Sequence, residues 1–172
     1  MVEDNTLTFP LFYTFHKLVS GAGFIADVYI RGRATAILAP SDEDESVPEW
    51  WFNGVEPGGL ARVGPSLNES YYTFRDALEE ILVELTHQSK TFADFKDHVH
   101  RFANQVNEPE EKDWQQAREA VRRGDLDFPV KMKRDEENDG STPVFVKQIS
   151  ETKATPQANP VITAEDAIGL AA

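Results

Sequence analysis

The chain contains no cysteine. Disulfides, thiol nucleophiles and thiolate metal sites are thereby excluded. It also lacks any run approaching about 18 apolar residues, the length a membrane-crossing helix requires. Its opening residues, Met1-Val2-Glu3-Asp4-Asn5, are acidic and without the apolar stretch of a secretory leader. A cytoplasmic location is the resulting expectation. Basic residues are scarce: 17 Lys and Arg stand against 30 Asp and Glu, a formal net charge of −13. Binding nucleic acid through a basic face, or adsorbing to an anionic membrane, needs clustered positive charge. Neither direct nucleic-acid contact nor membrane contact is expected. The charge favours solubility and a basic protein partner; self-association is left open.

Aromatic residues are plentiful, with 11 Phe, four Tyr and three Trp among 172 residues, most of them before Trp114. The first two thirds, about 125 residues, can therefore bury a single-domain core. Residues 7–19 alternate, with Leu7, Phe9, Leu11, Tyr13 and Phe15 on one face, which argues for a strand. Pro10 lacks an amide hydrogen and places its neighbourhood at a sheet edge or bulge. After a turn at Gly21-Ala22-Gly23, residues 24–30 alternate again. Arg31-Gly32-Arg33 interrupts the pattern before it resumes at 34–38, and a bulged continuation or a separate short strand is expected there. Asp42, Glu43, Asp44 and Glu45 lie in an exposed acidic loop. Trp50-Trp51-Phe52 reads as a strand, Pro57-Gly58-Gly59 as a turn, and residues 60–63 as a last short strand of a meander.

Helical spacing follows. Ser66 and Glu69 have the capping-box separation, and Leu67, Tyr71, Phe74, Leu78, Ile81, Leu82 and Leu85 then recur every three or four residues. Thr91 with Asp94 repeats the cap ahead of Phe92, Phe95, Val99, Phe102 and Val106. Pro109 suits the first turn of a third helix, Trp114, Ala117 and Val121 give it an apolar stripe, and Gly124 ends it. Residues 134–172 are polar and rich in Thr, Pro, Ala and Gln, the composition of a disordered, flexible acidic tail. Two local exceptions stand out: Val144-Phe145-Val146, able to add as a strand or dock a partner, and residues 163–170, able to form a short helix. The expected fold is α+β: a small antiparallel sheet of three to four strands packed on an amphipathic helix, with two further helices. Residues 1–133 form the single domain.

No catalytic constellation is apparent. His98 and His100 are two apart and point to different sides of a helix. Asp94 and His98 can share a face, which reads as a surface pair and not a metal site. His87 lies near a helix C-terminus and His16 on the outer side of a strand. Glu79, Glu80 and Glu84 read as a solvated helix face, and Gly58, Gly59 and Gly64 are too loosely spaced for a phosphate loop. No cofactor or metal is expected. Adjacent strand residues face opposite ways, so one of Trp50 and Trp51 enters the core; the other, beside the acidic loop, is a candidate contact residue unless the second or third helix covers it.

Gly23-Phe24-Ile25-Ala26, then Pro57-Gly58-Gly59-Leu60, then Gly64-Pro65-Ser66-Leu67-Asn68-Glu69-Ser70 ahead of an amphipathic helix, is a pattern that resembles the HicB-like antitoxin family over residues 23–86. The resemblance implies a small sheet of three or four strands on a helix, like a truncated ribonuclease-H unit. It also implies a non-catalytic role: masking a small basic ribonuclease toxin. No DNA-binding module of the kind many members carry is visible. The resulting expectation is a protein-binding module that engages a basic partner through Asp42, Glu43, Asp44, Glu45 and the exposed Trp, with Pro57, Gly58, Gly59, Gly64, Ser66 and Glu69 as fold-motif residues. Two alternatives are an acidic nucleic-acid mimic that inhibits a defence or DNA-binding protein, and an enzyme whose site assembles only in three dimensions.

Overall fold

The computed structural model describes residues 6–128, 132, 134–135, 141–149 and 168–171. Seven strands, β1 (Leu7–Gly21), β2 (Phe24–Pro40), β3 (Pro48–Glu56), β4 (Gly58–Gly64), β5 (Arg134–Asp135), β6 (Val144–Ile149) and β7 (Ile168–Ala171), join three helices, α1 (Leu67–Gln88), α2 (Phe92–Ala103) and α3 (Glu108–Arg123). The strands form one sheet in the order β4-β3-β2-β1-β7-β5, with β6 paired to β2. All pairings are antiparallel except β5 with β7. The class is α+β, as the patterning predicts, but the sheet exceeds three or four strands.

The long β1–β2 hairpin is the frame. Its turn is Ala22-Gly23, with Gly23 at φ 73°, a value that glycine adopts without a Cβ penalty. β2 is paired on both edges: β1 runs along one, while β6 and then β3 share the other, at residues 25–30 and 33–40. Pro10 lies one residue before the β1–β7 ladder begins at Leu11, on a stretch of β1 paired on one side only, which is where a residue without an amide hydrogen is tolerated.

Of the two expectations at Arg31-Gly32-Arg33, the bulged continuation is the one observed. β2 runs straight through this stretch in register with β1; only its ladder to β3 shifts, between Arg33 and Ala34. Gly32 interrupts the alternation because the Tyr13 ring lies on it: a Cβ there would sit 2.3 Å from Tyr13 Cζ. Arg31 and Arg33 point to the opposite face, where their guanidiniums stack on Phe12 and Trp114.

The two faces are covered differently. On the inner face, Phe9, Leu11, Tyr13, Phe15, Val28, Ile30 and Phe52 pack against Tyr71, Phe74, Leu78 and Leu82 of α1 and Phe95 and Val99 of α2. Both helices start at side-chain caps: Ser66 Oγ accepts from Glu69 N and Thr91 Oγ1 from Asp94 N. Glu69 does reach back to Ser66, accepting its hydroxyl proton at 3.1 Å. α3 lies on the outer face, where buried Trp114 meets Phe12, Val55 and Ala171; two turns later Val121 has joined the inner cluster. The stripe of α2 stops at Ala103, and Val106 lies beyond it, exposed.

Residues 134–172, expected as a flexible tail, supply β5, β6 and β7. Val144-Phe145-Val146 does add as a strand, beside β2. Residues 168–170 are strand and not helix, with Ile168, Leu170 and Ala171 buried; 163–167 lie outside the described residues. The reason is non-local. β1 and β2 present unfilled edges that a few apolar residues complete, and composition over a window does not see those edges.

Candidate partner-binding surface

The acidic loop, residues 41–47, closes the β2–β3 hairpin just beyond the Pro40–Pro48 pair. Asp42, Glu43, Asp44 and Glu45 are all exposed. They are not equivalent. The Asp44 carboxylate accepts from the Ser46 hydroxyl at 2.6 Å and the Ser46 amide at 2.9 Å, and its carbonyl accepts from Val47 N. Those side-chain and backbone hydrogen bonds hold the Asp44 carboxyl below its ordinary range. Asp44 therefore organises the loop, which leaves Asp42, Glu43 and Glu45 as the carboxylates free to meet another molecule.

The tryptophan pair divides as the strand period requires. Trp50 turns inward onto Phe9 and Phe128, with ring centroids 5.9 Å away in each case. Trp51 turns outward and stays half-buried, its indole N–H donating to Glu49 at 3.2 Å. It stands opposite Ile37 on β2 and Val63 on β4, and Val63 is 42% exposed. Glu110 in the first turn of α3 approaches Trp51 from one side. Trp51, Asn53, Gly54, Gly59, Leu60, Ala61, Asn107 and Glu110 line an open cleft of about 320 Å³.

Beneath the cleft lies a polar network that the sequence reading missed. Arg33, 7% exposed, sends Nη1 to Glu111 at 2.8 Å and Nη2 to Glu56 at 2.7 Å. Burial pushes the Glu111 carboxyl up, but hydrogen bonds from Arg33 and Gln115 outweigh it, and the net shift is downward. Burial disfavours the charged guanidinium of Arg33, yet Glu111 and Glu56 together raise its pKa. Beside this triad, Glu110 accepts the Thr35 hydroxyl at 2.6 Å and the Asn53 amide at 3.4 Å. The signal in the sequence was the pair of arginines flanking Gly32 in mid-strand, together with the three acids at the start of the third helix.

The turn-motif residues have structural work. The Glu56–Pro57 peptide bond is cis. Gly58 N donates to Gln105 O and Asn107 N to Val55 O, which ties the β3–β4 hairpin to the α2–α3 loop. A Cβ on Gly58 would lie 2.7 Å from Asn107 N, and one on Gly64 would lie 2.9 Å from Ser70 N. The motif therefore fixes where α1 and α3 begin, and only Gly59 among its glycines reaches the cleft.

The remaining candidates lie elsewhere. Glu79, Glu80 and Glu84 line an open groove on α1 with Asp76, Val83 and His87, and Glu79 pairs with Lys17 at 2.7 Å. His98 Nδ1 is 2.9 Å from Ser89 Oγ, so its partner is the end of α1 and not Asp94. His16 pairs with Asp27 on the outer face of the hairpin. Among the described residues no group of three or more His, Asp or Glu is placed to hold a metal ion, and no helix is long and apolar enough to cross a membrane.

The geometry defines an α+β protein with an open surface that is acidic and aromatic. Comparison with protein-family models, with curated proteins and with solved structures finds no match for this chain.

Proposed function

We propose that the chain is a non-catalytic binding module that captures a basic protein through the end of the sheet carrying the acidic loop and Trp51, as the HicB-like pattern of residues 23–86 implies. One observation carries this reading: three unpaired carboxylates, Asp42, Glu43 and Glu45, project from a hairpin whose outward face on β3 then bears Glu49 and a half-buried Trp51. An outward indole on the same hairpin as an acidic loop supplies both the apolar anchor and the charge steering that a basic protein surface needs. The test is affinity capture from host lysate at low and high salt, using the wild-type chain, D42K/E43K/E45K and W51A. A small basic protein retained by the wild type, released by salt and lost with both variants is the expected outcome. Equal retention by all three chains would discard the reading.

The acidic mimic of nucleic acid is favoured by one observation, the row Asp76, Glu80 and Glu84 beside Glu79 along a single groove of α1, with steps of about 6 Å per four residues. On that reading the captured proteins are large nucleic-acid-handling ones, and E79K/E80K/E84K releases them while the loop variant does not.

A further inference from the structure

This fold already contains a filled guanidinium site. Trp114 has Arg33 at 5.0 Å from its ring centroid and Arg118 at 5.2 Å, and Arg33 is simultaneously held by the carboxylates of Glu56 and Glu111. An indole face plus a carboxylate fork is a combination that suits the flat, five-donor guanidinium better than a compact ammonium.

The same ingredients recur on the same face of the sheet without a cation. Trp51 and Glu110 line one cleft, and no cation is paired with Glu110 among the described residues. Thr35 and Asn53 fix the Glu110 carboxylate in place. An ionised carboxylate accepts about four hydrogen bonds, so acceptor capacity remains. Gly59, where an added Cβ would meet nothing within 4 Å, leaves the cleft without side-chain obstruction, while Ala61 offers an apolar contact for a methylene stem. Arg62 stands opposite Phe52, on the inner side of the sheet, and so does not fill the cleft.

We infer that this cleft receives an arginine side chain of the basic partner, its guanidinium stacked on the Trp51 indole and hydrogen-bonded to Glu110. The inference rests on the docking reading above and names the anchor within it.

The probe is N-acetyl-arginine amide, titrated into the full-length protein while the Trp51 indole signal is followed by nuclear magnetic resonance, with W51F assigning that signal. Saturable movement of the Trp51 signal is expected, with the Trp50 and Trp114 signals unmoved. N-acetyl-lysine amide should bind more weakly and N-acetyl-norleucine amide should leave the signal in place. E110Q, which can still accept from Thr35, should keep the wild-type melting temperature and weaken arginine binding about tenfold, the equivalent of one charge-assisted hydrogen bond. A Trp51 signal that does not move, that moves equally with norleucine, or that responds unchanged in E110Q would overturn the proposal. Loop-dependent capture of a basic protein is a separate readout. Capture without amide binding would discard the arginine anchor and leave the docking reading; amide binding without loop-dependent capture would do the reverse.

Discussion

The two faces of the sheet are held to their helices by different physics. On the inner face, Tyr13, Phe52, Tyr71 and Phe74 form a continuous aromatic stack with centroids 4.7–6.5 Å apart, and α1 and α2 lie on it through apolar burial. On the outer face, a buried arginine, two glutamates and a tryptophan do the joining. Apolar packing is non-directional and tolerates small shifts. A guanidinium held by two carboxylates and an indole does not, because each bond has a required geometry. The outer face thus fixes where the first turn of α3 sits, and with it the wall of the Trp51 cleft.

Phe74→Ala should produce the largest loss. Phe74 is fully buried against two aromatic rings, Tyr13 and Phe52, and such truncations cost about 3–5 kcal/mol; urea denaturation should show it as a lowered midpoint. Arg33→Met follows, at about 3 kcal/mol, the low end for breaking a buried pair, because the Glu56 and Glu111 side chains keep 15% and 27% exposure and can take up water. The comparison sharpens if Glu56 and Glu111 are also replaced by apolar residues. Stability should then largely return, since removing a whole buried ion group is often close to neutral. A triple variant as unstable as the single one would mean that the network is held by something other than charge pairing.

Acid distinguishes the faces as well. The folded-state pKa of Glu111 is depressed, so its contribution is present above the ordinary carboxylate range and is lost as pH falls through the folded value. Denaturation midpoints measured from pH 7 down to pH 3 should fall, and Arg33→Met should flatten that dependence because it removes the partner responsible. Gly58→Ala is expected to cost about 1–3 kcal/mol, the range for overpacking, since its new methyl would meet the Asn107 backbone. Ser66→Ala, which deletes only the cap of α1, should cost about 1 kcal/mol and shift the thermal midpoint least.

The inner face was legible because its signals are local. Phe9 to Phe15 and Phe24 to Ile30 carry a period of two, Leu67 to Leu85 a period near 3.6, and the Ser66 and Thr91 caps announce themselves at fixed offsets. The outer face was not, because the side of a strand that bears Thr and Arg reads as solvated. Nothing near Arg33 in the chain reveals that Glu111 will cover it. The same locality hid β7, where the sequence allows a short helix, whereas β6 was marked by Val144-Phe145-Val146. The candidate surface was half legible: the acidic loop and the outward tryptophan follow from sequence, whereas the different role of Asp44 and the cleft formed with Asn53 and Glu110 require the fold.

Strand β7 pairs Leu170 with Leu11 and Ile168 with Tyr13, which joins segments far apart along the chain. On a translating ribosome, β1 and β2 emerge well before β6 and β7, and their edges wait while the intervening chain is made. Such high-contact-order closure is slow and leaves strand edges open meanwhile. The nascent protein is therefore expected to lean on chaperones at that stage, and its acidic loop and net charge keep neighbouring nascent copies apart while it waits.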